Sequence, residues 1–229
     1  YKQRDKLKLI TLKIGSSFIK KEEIPKGILI IKKGILSVKL TDQNDRKKFT
    51  IENLKKGDLA GIDQIIGKKN YSDIVASTKV EGYFLEKKFF LEIINKNFQT
   101  INSFIKSSKY ELYCTISLYL FGKIQKSYEI FNILNSSSFD LKMVTLTPGI
   151  NNLNSNFGRF ILSSSNIEGL NIGDTIKGPI SLNVLGDLPA RLIKSEELSN
   201  LKNTKESKIT INNKKNSAGR IIEKVDLQK

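Results

Sequence analysis

The chain has 229 residues, of which 39 are Lys or Arg and 23 are Asp or Glu, and it contains no His, no Trp, one Cys and one Met. Without His there is no Ser-His-Asp triad, no Cys-His dyad and no histidine-ligated zinc or iron. A lone cysteine excludes intramolecular disulfides and multi-cysteine metal sites, and it fits a reducing cytoplasm.

Residues 6–85 read as short strands separated by turns. Leu7, Leu9, Leu12 and Ile14 alternate with polar neighbours, and a slip of phase at Ile10 predicts a bulge. Ile28–Ile31 is a compact apolar strand, followed by a turn at Lys32-Lys33-Gly34. Leu36, Val38 and Leu40 then alternate with Ser37 and Lys39, as a half-buried strand requires. Phe49 and Ile51 mark the next strand, which a Lys55-Lys56-Gly57-Asp58 turn closes, and Ile74–Ala76 and Tyr83–Leu85 complete the set. Closely spaced strands with glycine turns and no long helix between them predict a sandwich or jelly roll.

The period then changes. Phe90, Ile93, Ile94, Phe98, Ile101 and Ile105 fall on one helical face, and Tyr113, Ile116, Leu120 and Ile124 continue the spacing. Residues 87–134 therefore read as two helices, or as one broken near Ser107-Ser108. Strands return at Val144 and Leu146, at Phe160–Leu162, and at Ile180, Leu182 and Val184. The segment Asn171-Ile172-Gly173-Asp174 echoes Lys55-Lys56-Gly57-Asp58, a hint that the second half is a partial copy of the first. From Lys194 onward Lys, Glu, Asn and Ser dominate, as in a flexible linker or tail. The fold expectation is mainly β with α: a double-stranded β-helix (jelly roll) domain with trailing helix at 6–107, a connecting helix at 108–134, a smaller β-rich domain at 135–194 and a tail at 195–229.

The basic surplus consists of Lys, since Arg supplies only Arg4, Arg46, Arg159, Arg191 and Arg220. Base-edge and phosphate recognition favours the planar guanidinium fork over a hydrated ammonium. The charge therefore reads as lysine bias on a solvated surface, with no specific nucleic acid as partner. No apolar run approaches the ~20 residues needed to cross a bilayer, so no span is expected in this segment. The chain opens Tyr1-Lys2-Gln3-Arg4 with no initiator Met, which reads as an excerpt of a longer protein.

The glycine pattern carries a resemblance. Lys13-Ile14-Gly15, Ile28–Gly34, Lys55–Gly61 (Lys-Lys-Gly-Asp-Leu-Ala-Gly), Asp73–Val80 and Phe89 leading into a helix together resemble the cyclic-nucleotide-binding domain family over residues 6–107. The resemblance implies a ligand cassette after Gly61. In the family an acid there holds the ribose hydroxyl, and an Arg with a neighbouring hydroxyl neutralises the cyclic phosphate. This chain departs from that pattern. Ala60-Gly61-Ile62 stands where Phe-Gly-Glu is expected, so Asp63 comes one residue late. Asn70-Tyr71-Ser72 stands for Pro-Arg-Thr, so Tyr71 replaces the phosphate Arg. Only Gly61 and Ser72 carry over from the family's cassette, with Lys68 and Lys69 as stand-in cations; the candidate site residues are Gly61, Asp63, Lys69, Tyr71 and Ser72. A degenerate cassette follows, with no cofactor and with cyclic-nucleotide binding disfavoured.

Gly186-Asp187-Leu188-Pro189-Ala190-Arg191-Leu192-Ile193, after a second β-rich segment, is similar to the N-terminal cytosolic region of bacterial peptidase-containing ABC exporters. That resemblance implies a non-catalytic regulatory or docking region on the cytoplasmic face, with the remainder of an exporter as partner and a second copy contacted through the helices. The alternative is a small-molecule or cyclic-nucleotide sensor of a transcription regulator, which would need a helix-turn-helix after the long helix. Cys114 reads as a small core residue, because no His can activate it. No Walker loop is present, so this segment has no ATPase chemistry.

Overall fold

In a computed structural model, residues 4–67, 70–96, 108–135, 143–186, 188–194 and Leu198 are described. The chain divides into two compact units, Tyr1–Lys194 and Ser195–Lys229. Apart from Leu198, the expected tail lies outside the described residues, as do Phe98, Ile101 and Ile105 of the expected helical stripe.

The first strands are β1 (Leu7–Leu12), β2 (Ser17–Ile19), β3 (Gly27–Lys33), β4 (Leu36–Thr41), β5 (Lys48–Leu54) and β6 (Leu59–Ala60). A short helix α1 (Ile62–Gly67) separates these from β7 (Ser72–Ala76) and β8 (Val80–Glu86). They form two antiparallel four-stranded sheets, ordered β1-β8-β3-β6 and β2-β7-β4-β5, which is the expected jelly roll. Alternation does what the sequence asked of it in β5, where Phe49 and Ile51 are buried and Lys48 and Thr50 are exposed. The bulge expected at Ile10 is absent: β1 pairs with β8 without a break from Leu7↔Leu85 to Leu12↔Val80. Leu9 instead faces outward opposite Tyr83, so the apparent slip is an apolar residue on the solvent face. The register shift lies across the sheet, between β3 and β8 at Ile31/Lys33.

Helix α2 (Lys87–Lys96) follows directly and buries Phe90 and Ile94 against Ile28, Ile62, Ile65, Leu85 and Leu188, while Ile93 stays half-exposed. Helix α3 (Lys109–Phe121) starts where the sequence placed a break. Ser108 caps it by accepting the Glu111 N–H at 3.1 Å, and Gly122 ends it in the left-handed region at φ 67°. Helix α4 is Tyr128–Asn135. Ile124, expected on the helical stripe, is buried in the loop between α3 and α4.

Every residue of α3 from Tyr110 to Ser117 is buried, so this helix has no solvent face along that stretch. On one side Tyr113 packs its ring 5.6 Å from Phe49 of β5 and 5.2 Å from Phe131 of α4. Asp42, after β4, fastens the α3–α4 loop by accepting the Lys126 N–H at 2.8 Å, and that bond holds its carboxyl below the usual range. On the other side α3 meets the second β module. That module comprises β9 (Met143–Leu146), β10 (Gly149–Leu153), β11 (Arg159–Leu162), β12 (Thr175–Lys177), β13 (Ile180–Val184) and β14 (Ala190–Lys194).

The second module repeats the first. Its larger sheet runs β9-β14-β11-β12, the same order and the same antiparallel sense as β1-β8-β3-β6. The repeat holds residue by residue. Leu12↔Val80 becomes Leu146↔Ala190, and Ile31↔Gly82 becomes Leu162↔Leu192. Ile31 accepts from Gly57 and donates to Asp58, and Leu162 does the same with Gly173 and Asp174. Asp58 accepts the Lys55 N–H and Asp174 the Asn171 N–H, each at 2.8 Å. Gly57 and Gly173 both sit at φ 94°, a conformation that glycine adopts without steric cost. The faint Gly-Asp echo in the sequence is thus one point of a structural duplication. The copy is shortened in two places. A stub at Asn166–Glu168, bridged to β13 through Ile167↔Val184, stands where β4 and β5 would be. Gly178-Pro179, a cis peptide, joins β12 to β13 where the first copy carries α1.

Candidate functional site

The cassette begins at Gly61, whose φ of 95° turns the chain from β6 into α1. A Cβ at this position would lie 3.1 Å from the Gly27 carbonyl oxygen. Ile62 and Ile65 then pin α1 into the apolar cluster below it. Gln64 and Ser72 are turned inward; Ser72 and Gln64 Nε2 find partners within the protein, while Gln64 Oε1 meets no hydrogen-bond partner among the described residues.

Ser72 donates from both its backbone N–H and its hydroxyl to Asn70 Oδ1, each at 2.9 Å. Its oxygen in turn accepts from Gln64 Nε2 at 3.0 Å. Asn70 Nδ2 donates to the Lys20 carbonyl at 2.7 Å and to the Glu23 carbonyl at 3.2 Å, which ties the cassette to the chain after β2. The Tyr71 backbone N–H donates to the Tyr110 hydroxyl of α3 at 2.9 Å. Ser72, the hydroxyl expected to meet a phosphate, is fully buried and committed to the backbone turn.

Asp63 and Tyr71 do come together. With Tyr110, Glu111, Cys114, Ser163, Ile172 and Arg191 they line a narrow cavity of about 10 Å³, the room of a single water, among the cassette, α3 and the second module. Gly61 and Ser72 are not among these lining residues, and Lys69 lies outside the described residues. Glu111 and Arg191 dominate the electrostatics. Both are buried, and Glu111 Oε1 accepts from Arg191 Nε at 2.7 Å and from the Ser163 hydroxyl at 2.8 Å. Arg191 Nη1 and Nη2 meet no hydrogen-bond acceptor among the described residues.

Burial, reinforced by the negative charge of Glu111, pushes the Asp63 carboxyl up to about 7, against the opposing influence of a Ser108 hydrogen bond and of Arg191. The folded chain therefore keeps a proton that the unfolded chain has already lost between the ordinary carboxylate range and that value. The contribution of Asp63 to stability accordingly declines as pH rises through this window. Burial likewise raises the Cys114 thiol, so the cysteine is an unreactive core residue.

A second, more open pocket of about 140 Å³ shares Asp63 and is lined also by Glu52, Leu54, Gly57, Asp58, Leu59, Ile62 and Ser108. Burial and the nearby Asp58 charge raise the Glu52 carboxyl, while Lys109 acts in the opposite direction. Three carboxyl groups here make a setting that repels a phosphate diester. Among the described residues no group of His, Cys, Asp and Glu could hold a metal ion.

Sequence reasoning missed Glu111, Ser163 and Arg191. The available signal was the rarity of Arg: Arg191 stands alone in an apolar run, Leu188-Pro189-Ala190-Arg191-Leu192-Ile193, where a charge demands a buried partner.

Residues 9–97 match the cyclic nucleotide-binding domain family. No curated protein matches the chain. Among solved structures, the chain is similar to a regulatory subunit of a cAMP-independent protein kinase A from Trypanosoma brucei. The two are 23% identical with a TM-score of 0.42, over 48% of this chain and 40% of that one. It is also similar to a transcriptional regulator from Thermotoga maritima, at 19% identity and a TM-score of 0.41 over 53% and 97% of the two chains. The sensor domain of the transcriptional regulator DNR from Pseudomonas aeruginosa is a further likeness, at 10% identity and a TM-score of 0.39 over 44% and 68%.

Proposed function

Starting from a cyclic nucleotide-binding domain at residues 9–97, we propose that this chain is a non-catalytic regulatory or docking region whose cassette has ceased to serve a ligand. One observation carries the reading: the donors of the cassette that a phosphate would need are consumed internally. Ser72 is spent on Asn70 and Gln64, the Tyr71 N–H is spent on Tyr110, and the remaining open face is lined by Glu52, Asp58 and Asp63. A phosphate needs donors and positive charge, and the open pocket presents carboxyl groups in their place.

The setting we propose is the cytosolic region of a peptidase-containing ABC exporter. The support is the likeness of Gly186–Ile193 to such proteins, a stretch that here feeds and forms β14. Among the described residues no helix is long and apolar enough to cross a membrane. After α4 the described chain continues as the strands β9–β14, so no helix-turn-helix among the described residues favours a transcription regulator. In the exporter setting the partner is the remainder of that protein, with contacts to a second copy through the helices.

Affinity capture of the tagged chain from detergent extracts of its source cells tests this. The expected result is retention of a polypeptide carrying cysteine-peptidase and ATPase domains, unchanged by added cyclic AMP or cyclic GMP. Release by either nucleotide, or retention of DNA alone, would contradict the proposal.

A further inference from the structure

The cavity between the two copies holds a charge arrangement that the degenerate cassette does not explain. Arg191, 1% exposed, spends only Nε on Glu111 and leaves both Nη groups without an acceptor among the described residues. An unpaired buried donor costs about 1–3 kcal/mol, and more when it is charged. Asp63, from the other copy, lines the same cavity. The groups facing Asp63 are Glu52 of β5, Asp58 of the following turn, Ser108, Tyr110, Glu111 and Cys114 at and within α3, Tyr71 before β7, Ser163 after β11, and Arg191 of β14. Of these, Arg191 is the cation, it acts on the Asp63 carboxyl, and it lines the same cavity with both Nη groups unpaired among the described residues.

We propose that Asp63, Glu111 and Arg191 form a proton-operated clasp, in which loss of the Asp63 proton turns the free Nη groups of Arg191 onto the Asp63 carboxylate. This rests on the reading of the cassette as ligand-free, because a bound phosphate would compete for the same guanidinium. With Asp63 protonated, Arg191 serves Glu111 alone and Asp63 shares a hydrogen bond with Ser108. With Asp63 ionised, one guanidinium bridges two carboxylates, through Nε to α3 and through Nη to α1. A planar fork can hold both at once, whereas an ammonium cannot do so with the same geometry. The clasp thereby ties the cassette helix to the second module, in the place where a ligand would otherwise act on it.

The test follows the Arg191 guanidinium by nitrogen and proton NMR in the full chain, from about pH 6 to about pH 8, beside the Asp63 carboxyl carbon. The Arg191 Nη signals are expected to move with the same midpoint as Asp63, and their proton exchange is expected to slow by about tenfold across it, the value of one charge-assisted hydrogen bond. In Asp63→Asn, a near-isosteric change that preserves the fold, the step should vanish. In Arg191→Lys, Asp63 should still titrate but at a higher pH. Arg191 signals that stay flat while Asp63 titrates, or a step that survives in Asp63→Asn, would overturn the clasp. Calorimetric binding of cyclic AMP would sink the ligand-free reading separately, leaving the NMR result to stand or fall alone.

Discussion

Replacing Glu111 by Ala is expected to destabilise the chain by about 3–5 kcal/mol, the cost of leaving a buried cation without its partner. Glu111 Oε1 accepts from Arg191 Nε of β14 and from the Ser163 hydroxyl after β11, so one side chain of α3 joins two segments of the second module. Solvent cannot rescue Arg191, which is enclosed by β14, α3 and the cassette. Urea unfolding of Glu111→Ala, Arg191→Met and the double variant measures the effect. The double variant should recover a large part of the loss, because removing both charges removes the desolvation penalty with the attraction. Strict additivity of the two single losses would show that the pair does not act as a unit.

Gly34→Val is expected to cost a comparable amount, about 3–5 kcal/mol, by a different mechanism. Gly34 lies in the turn that carries the chain from β3 in one sheet to β4 in the other, at φ 94°, where a β-branched residue is strained by itself. A Cβ here would also collide with the Lys79 carbonyl oxygen, which is backbone and cannot swing away. By contrast Gly15 and Gly57 have open space at the corresponding position, so Ala there meets only the backbone preference. The midpoint of thermal unfolding separates these cases: Gly34→Val should fall by many degrees and Gly57→Ala by few. Equal shifts would mean that the collision with Lys79 contributes nothing.

The first jelly roll was legible because its information is local. Alternation in β4 and β5 and glycines at the turns report burial and backbone geometry within a few residues of each signal. The false bulge at Ile10 shows where such reading fails, since an apolar residue on the solvent face mimics a change of phase. The degenerate cassette was legible as a set of substitutions, Ile62 for an acid and Tyr71 for an arginine. How its remaining groups are used was not. Ser72 looked like a phosphate contact, and only the folded chain shows its hydroxyl held by Asn70 and Gln64.

Two features left only faint traces in the sequence for physical reasons. Glu111 and Arg191 meet across a sequence separation of 80 residues, and although Arg191 stands out as a charge in an apolar run, nothing local names its partner. The duplication is written mainly in backbone hydrogen bonds, which do not depend on side-chain identity. Thr11-Leu12 with Gly15 recurs as Thr145-Leu146 with Gly149, and Gly57-Asp58 recurs as Gly173-Asp174, while almost everything between them has diverged. What was kept is what the turns need.

The central claim is that a cyclic nucleotide-binding fold here works without a cyclic nucleotide. Calorimetric titration of the full chain with cyclic AMP and cyclic GMP at low ionic strength tests it most directly, since weak phosphate contacts are least screened there. The account predicts no saturable heat with either nucleotide. Micromolar binding that is lost on Ser72→Ala would contradict it.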